Sequence, residues 1–305
     1  MAEIKVDEKV LASLKDRVVV VTGSADGIGA ETVRHLFHAG ARLVVGDLDD
    51  TKGNQLIESL NRESSDHRQN AFYVHVDVSN YDSVISLFRR AIEFHGRVDM
   101  AIHCAAITEI CGWFAPGITL DSAANPPTSK VLEVNLFGTF YFTHAALAAM
   151  NQDHVPEEKV NKSITLIASV AGFKESPGLF AYSASKHGVM GVMRSLRGYL
   201  PSVFNTRINV ICPWATDTKM LGNVRDIWVQ NELPINTADD VARIILHCAA
   251  DESIHGKAVY VAGGKGFDIE EGIGNLEPQW MGDKQARDLA KGQEVLGTGT
   301  PWTKN

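Results

Sequence analysis

The stretch Val18-Val19-Val20-Val21-Thr22-Gly23-Ser24-Ala25-Asp26-Gly27-Ile28-Gly29 decides the fold. Four β-branched residues in a row read as a strand, and a turn with three glycines follows directly. Such a turn lets backbone N–H groups approach a pyrophosphate, and the N-terminus of the next helix adds more N–H groups with favourable dipole polarity. A glycine pattern alone is a weak signal. Here a strand precedes it, a helical pattern follows over residues 28–39, and Asp47 ends the second strand, the arrangement of a dinucleotide site. Asp47 is placed to accept hydrogen bonds from the adenosine ribose hydroxyls, and its charge repels a 2′-phosphate. Asp26 precedes Gly27 and Leu48 follows Asp47, so neither position offers an Arg or Lys to neutralise that phosphate. NAD is therefore expected rather than NADP.

Outward from this turn, short apolar runs alternate with longer helical patterns. Strands are expected over residues 18–21, 43–46, 71–76, 100–103, 164–168, 208–211 and 258–261, with helices over 28–39, 52–61, 81–94, 129–150, 182–200 and 238–249. The pattern predicts an α/β fold: a single Rossmann-type, doubly wound parallel sheet of about seven strands with helices on both faces. Residues 1–264 are read as one dinucleotide-binding domain. Residues 265–305 form a C-terminal extension: a mobile tail, a strap over the active site, or an arm onto a neighbouring subunit. Segments 108–128, with Trp113 and Phe114, and 214–236, with Met220 and Trp228, interrupt the alternation where strands end. Loops of that length are commonly functional, and these two are read as walls or lids of a pocket.

A second signature is Tyr182-Ser183-Ala184-Ser185-Lys186, with Ser169 thirteen residues upstream. Side chains at i and i+4 share a helix face, so the Lys186 ammonium can stand beside the Tyr182 phenol. A fixed cation there is expected to lower the phenol pKa toward the range where it exchanges protons with an alcohol, while Ser169 holds the same substrate oxygen.

Composition narrows the partners. A chain of 305 residues with 45% apolar content can bury one sizeable core. Its net charge is −8 and its 29 basic residues are scattered, which leaves no electrostatic footprint for nucleic acid or an anionic membrane. The four cysteines, Cys104, Cys111, Cys212 and Cys248, show no CxxC spacing and read as reduced thiols. No signal peptide or membrane span is apparent, so a soluble cytoplasmic protein is expected, and no metal-binding spacing appears.

These residues resemble the short-chain dehydrogenase/reductase family over roughly residues 15–264. The glycine turn matches that family's TGxxxGxG, Asp77-Val78 matches its adenine-contacting pair, and Asn135, Ser169, Tyr182 and Lys186 match its catalytic tetrad in order. The resemblance implies Tyr182 as general base on an alcohol or general acid to a ketone, and Ser169 as the group that orients the reacting oxygen. It implies Lys186 on the nicotinamide ribose, and Asn135 holding a proton-relay water through its backbone. Gly23, Ser24, Asp26, Gly27, Ile28, Gly29, Asp47, Leu48, Asp77, Val78, Ala105, Ala106, Tyr182, Lys186, Thr216 and Thr218 are the implied cofactor contacts. Two positions depart from the pattern: His103-Cys104-Ala105-Ala106 stands for NNAG, which puts a methyl where backbone usually approaches the cofactor, and Pro213-Trp214 stands for Pro-Gly. Trp214 then serves as an aromatic wall near the nicotinamide or packs under the lid.

The segment Gly263-Gly264-Lys265-Gly266-Phe267 and the short lid are similar to NAD-dependent members related to 15-hydroxyprostaglandin dehydrogenase and to dehydrogenases of fungal secondary metabolism. That implies a secondary alcohol on a bulky, largely apolar small-molecule substrate, with oxidation as the default direction. Phe173, Pro177, Trp214 and Met220 are the expected substrate contacts, with core or loop packing as the alternative for each. The helices at 129–150 and 182–200 imply a homodimer or homotetramer. An NAD-binding sensor without turnover, and an epimerase or cyclase of the same fold, are the competing functions.

Overall fold

The computed structural model describes residues 2–63, 70–110, 112–152 and 161–299; Cys111 and Trp302 lie outside them. Among the described residues nine strands form one sheet: β1 (Glu3–Ile4), β2 (Val18–Thr22), β3 (Arg42–Asp47), β4 (Ala71–His75), β5 (Met100–His103), β6 (Lys162–Ile167), β7 (Thr206–Pro213), β8 (Ala258–Ala262) and β9 (Lys265–Asp268). Their spatial order is β1-β9-β8-β7-β6-β5-β2-β3-β4. The run from β4 across to β8 is parallel, and these are the seven strands expected from the sequence. Strands β9 and β1 extend the edge antiparallel, so the sheet is mixed and larger than expected.

The strands are apolar throughout because both faces are covered. Side chains alternate between two cores: Val20, Ala101, Ile208 and Val210 face one, with Phe88, Phe142 and Met193 from helices Tyr81–His95, Gly138–Gln152 and Phe180–Leu196. Val19, Val21, Met100 and Ile102 face the other, with Val33, Leu36, Leu60 and Ile245 from helices Gly27–His38, Asp50–Glu63 and Ala238–Ala250. After β2 the chain winds out to β3 and β4, then returns to place β5 on the other side of β2. Ligands of such sheets bind at the carboxyl ends of the strands beside this reversal.

Three features differ from the sequence reading. The segment at 214–236 contains a helix, Val224–Gln230, and its base is closed by a bridge between Thr216 and Asn236. Gly263 and Gly264, both at positive φ, form a two-residue hairpin between β8 and β9, so the sheet runs past residue 264 to Asp268. The chain continues in helices Glu270–Met281 and Asp283–Leu296. Glu270 fastens them to the body, accepting from Arg194 at 2.7 and 3.0 Å and from Arg197 at 2.6 Å.

Two glycines separate packing from helix propensity. A Cβ at Gly29 would lie 1.9 Å from the Gly23 carbonyl oxygen, whereas one at Gly191, inside helix Phe180–Leu196, meets nothing within 4 Å. Gly29→Ala should therefore lower stability by about 1–3 kcal/mol. Gly191→Ala should raise it by about 0.5–1 kcal/mol in urea denaturation at unchanged m-value.

Candidate functional site

The glycine turn follows directly on the carboxyl end of β2. Gly23 sits at φ 69°, and a Cβ there would lie 2.4 Å from the Ala105 nitrogen, so this turn is packed directly on the chain leaving β5. Ser24 is buried and donates to the Gly46 carbonyl at 3.2 Å. Asp26 caps helix Gly27–His38, accepting from the Gly27 N–H at 2.8 Å, and Ile28 is half-buried in its first turn. One Asp47 oxygen accepts from the Ala25 N–H at 2.9 Å and the other from Asp49 N–H at 3.0 Å, so this carboxylate also braces the turn. Leu48 beside it is 56% exposed, an apolar surface at the rim. Asp77 accepts from the Ser79 backbone and hydroxyl at 2.9 and 2.6 Å, while Val78 is buried against Gly138.

From the turn, contacts run without a break to Tyr182. Ala105 and Ala106 lead to Ile107, whose N–H donates to Asn135 Oδ1 at 2.8 Å and whose carbonyl accepts from Asn135 Nδ2 at 2.9 Å. Asn135 lies in a π-helical turn, Glu133–Phe137, where widened winding brings its side chain to the loop; its carbonyl accepts from the Thr139 hydroxyl at 2.7 Å. Asn135 Nδ2 also donates to Ser185 Oγ at 3.1 Å, and Ser185 donates to the Tyr182 carbonyl at 2.6 Å. Lys186, one turn further, is 2% exposed; its Nζ donates to the Ile167 carbonyl at 2.8 Å and lies 5.6 Å from the Tyr182 ring centre. Ser169, two residues beyond β6, accepts from the Ala171 N–H at 3.2 Å and lies near enough to the phenol to lower its pKa. Asn135, Ser169, Tyr182 and Lys186 are thus gathered at the carboxyl ends of the strands, beside the glycine turn.

A short-chain dehydrogenase family profile matches residues 17–227. The chain belongs to the short-chain dehydrogenase family. It is 30% identical to the 5′-hydroxyaverantin dehydrogenase of Dothistroma septosporum, over 94% of this chain and 96% of that protein. It is 32% identical to the xanthoxin dehydrogenase of Arabidopsis thaliana, over 82% and 90%. The crystal structure of gox2181 superposes with a TM-score of 0.69 at 29% identity, over 84% of this chain and 98% of that one. As a short-chain dehydrogenase, the protein is an oxidoreductase.

The structure corrects one expectation about this dehydrogenase. Among the chain's own groups, burial is the largest influence on Tyr182 and raises its pKa, Ser169 opposes it, and Cys212 adds to the rise; the lowering expected from Lys186 is not found. Burial also acts on Lys186, pushing its ammonium down to about 8. The amine lies over the ring face and spends a proton on a backbone carbonyl, a weaker coupling to the phenol oxygen than a direct bond.

The expected substrate and lid residues divide. Trp214 packs edge-on against Trp228 of the lid helix, ring centres 5.8 Å apart, so it supports the lid. Phe173 packs on the core and against Tyr260, whereas Pro177 is exposed and Met220 is 47% exposed. The Thr216 hydroxyl is taken by the Trp214 carbonyl at 3.0 Å, and Thr218 stands against Gly27. Three residues escaped the sequence reading because their partners are distant in the chain. Glu109 accepts from the Tyr182 N–H at 2.8 Å, capping a helix whose own N-cap, Leu179, has no side-chain bond to give. Lys52 and Lys219 both reach Asp26, at 2.7 and 3.0 Å, and hold its carboxyl down to about 2. No cluster of three metal-ligating side chains occurs, and no helix is long and apolar enough to cross a membrane, among the described residues.

Lys186 gives a signed test. Its native pKa of about 8 lies below the 10.5 of an exposed lysine, so between these values the unfolded chain binds more protons and rising pH favours the native state. Lys186→Met should abolish turnover yet raise stability at neutral pH by about 1–3 kcal/mol, since an ammonium no longer needs burying. That advantage over the parent should shrink as pH climbs from 8 to 10, read by thermal or urea unfolding of both proteins; a constant gap would show that Lys186 is not strained by burial.

Proposed function

We propose that this protein is an NAD-dependent dehydrogenase of a secondary alcohol on a bulky, largely apolar small molecule, such as a secondary metabolite, with oxidation favoured. The observation that carries the reading is the unbroken line of contacts from the glycine turn through Ile107, Asn135 and Ser185 to Tyr182 and Lys186. Nothing in a pure sensor needs that continuity.

The turn suits a dinucleotide, because it opens helix Gly27–His38 at the carboxyl ends of the strands beside the reversal between β2 and β5, folded tightly there by Gly23 and Gly29. Bound there, NAD supplies the two-electron hydride acceptor. Gly27, Ile28 and Gly29 would offer N–H groups at a helix N-terminus, Asp47 would receive the ribose hydroxyls, and Asp77 with Val78 would contact the adenine. Ser169 holds the alcohol oxygen against Tyr182, which takes the hydroxyl proton as the carbinol C–H bond breaks. Lys186 would bind the second ribose, and Asn135, through its backbone, would hold the water that links Lys186 to solvent for proton exchange.

Substrate class follows from the two segments that leave β5 and β7. They expose Phe114, Ile118, Leu120, Met220, Ile227 and Val229, more apolar surface than two solvated loops need. The named relatives, which include the (+)-borneol dehydrogenase 1 of Salvia officinalis, act in name on alcohols of that character. A homodimer or homotetramer belongs to the same proposal, supported by Phe137 and Phe140, each 51% exposed on the helices at 133–152.

Two experiments decide it. With NAD and a panel of bulky secondary alcohols, NADH formation should be seen and should fall at least about a thousandfold in Tyr182→Phe. Because burial raises the phenol pKa, the oxidation rate should climb with pH on its alkaline side; NAD binding without turnover on any substrate would overturn the assignment. Cofactor choice is tested by Asp47→Asn, which removes the charge but keeps oxygen and nitrogen for the turn. NADP binding should strengthen relative to NAD by about tenfold. An unchanged ratio would remove Asp47 from cofactor choice.

A further inference from the structure

The glycine turn carries a cation arrangement that its own sequence does not disclose. Lys52 comes from helix Asp50–Glu63 after β3, and Lys219 from the segment that follows β7. The two ammoniums converge on one atom, Asp26 Oδ2, at 2.7 and 3.0 Å, and Lys52 lies 3.5 Å from Asp49 as well. The other Asp26 oxygen accepts from the Gly27 N–H. Ala25, next in the chain, donates to Asp47, so this cluster borders the carboxylate assigned to the ribose hydroxyls.

Stability does not explain the arrangement. Asp26 is 49% exposed, Lys52 40% and Lys219 77%, and ion pairs this open contribute between zero and about 1 kcal/mol. Its consequence is electrostatic and falls on whatever binds beside it. Two lysines a few ångströms apart at the ribose end are what a 2′-phosphate would seek: compact charges with donors on flexible stems. Asp26 occupies those donors and cancels part of their field.

We propose that Asp26 is a cofactor-specificity residue, which keeps a 2′-phosphorylated dinucleotide out by holding Lys52 and Lys219 in ion pairs. This rests on the NAD reading above and adds to Asp47 a second, separable element: Asp47 repels the phosphate, and Asp26 withholds the cations that would welcome it. Since Lys219 belongs to the lid, the ribose end of the cofactor and the cover of the substrate pocket meet at the same carboxylate.

The test uses the full-length protein and two nucleotide probes that need no substrate, adenosine 2′,5′-bisphosphate and 5′-ADP, measured by titration calorimetry. Asn caps a helix as Asp does, so Asp26→Asn keeps the turn and removes only the charge. In the variant the preference for the 2′,5′-bisphosphate over 5′-ADP should rise about tenfold, the ratio being the readout because both probes are anions and lose the same repulsion at the helix N-terminus. Adding Lys52→Ala and Lys219→Ala to Asp26→Asn should return that ratio to its parental value. If the parent prefers 5′-ADP and Asp26→Asn leaves the ratio of the two unchanged, or if the gain persists without the lysines, this inference fails while the NAD reading stands. If the parent already prefers the 2′,5′-bisphosphate, the NAD reading itself fails.

Discussion

At the carboxyl ends of β2 and β5 there is no room for a side chain, and the site is organised around that constraint. The two strands are neighbours only because the chain returns across β2 after building β3 and β4. Gly23 then lies directly on the Cys104–Ala105 backbone, and Gly29 on Gly23. A methyl at either position would push the glycine turn away from β5 and with it from Ile107, which carries Asn135. The register pair Thr22 and His103 fixes the same junction from inside, with Thr22 Oγ1 2.7 Å from His103 Nδ1. Burial pushes His103 down to about 3, so the ring stays neutral, stacked on Phe142 with centres 4.7 Å apart. A charged residue there would set a second cation against Lys186; a neutral imidazole joins the strands without one.

Tyr182 and Lys186 show which electrostatic effect wins when a pair is buried. In water a cation one helical turn away would make a phenol more acidic. Here both groups have left water, and desolvation disfavours the charged form of each: the phenol rises and the ammonium falls. The pair is therefore close to a neutral phenol beside an amine that titrates near physiological pH. The neutral phenol is the form that donates a proton to a ketone, whereas taking one from an alcohol needs the phenolate that rising pH supplies; of the two groups it is the amine that exchanges a proton near neutrality.

The parallel strands were legible because strands covered on both faces read as short apolar runs, and residues 18–21 are the plainest instance. The glycine turn and the Tyr182–Lys186 spacing were legible because each is local: the contacting groups lie within one turn or one helix. What escaped was either polar or distant. Lys265–Asp268 contains two charges and a glycine in four residues, so no periodicity marks β9, although Gly263-Gly264 is a hairpin signal and formed that hairpin. The lid helix Val224–Gln230 has no side-chain cap, which hides its start. Glu109 is 73 residues from the amide it caps, and Lys219 joins Asp26 only because the segment that follows β7 runs back to the glycine turn, where Thr218 stands against Gly27. Sequence spacing carries none of that.

Departures from ordinary folding rules concentrate at the same end of the sheet. Of eight buried side-chain polar atoms without a hydrogen-bond partner within the described protein, five belong to His103, Glu109, Trp113, Ser183 and Trp228, at the ends of β5 and β7 or on the helix that carries Tyr182. Lys186 is a buried cation there, and Leu120 is an apolar side chain 93% exposed on the segment after β5. Each arrangement costs free energy in the polypeptide alone. Away from that end the helices of the second core bury aliphatic stripes against the sheet, and helix Ala238–Ala250 begins with a complete capping box. A rigid, well-satisfied half can support a strained one, and a ligand that meets orphaned donors and apolar loops recovers binding energy that a fully satisfied surface would not offer. The same reasoning explains why pocket shape resists derivation from sequence: the residues that form it are those that local preference does not place.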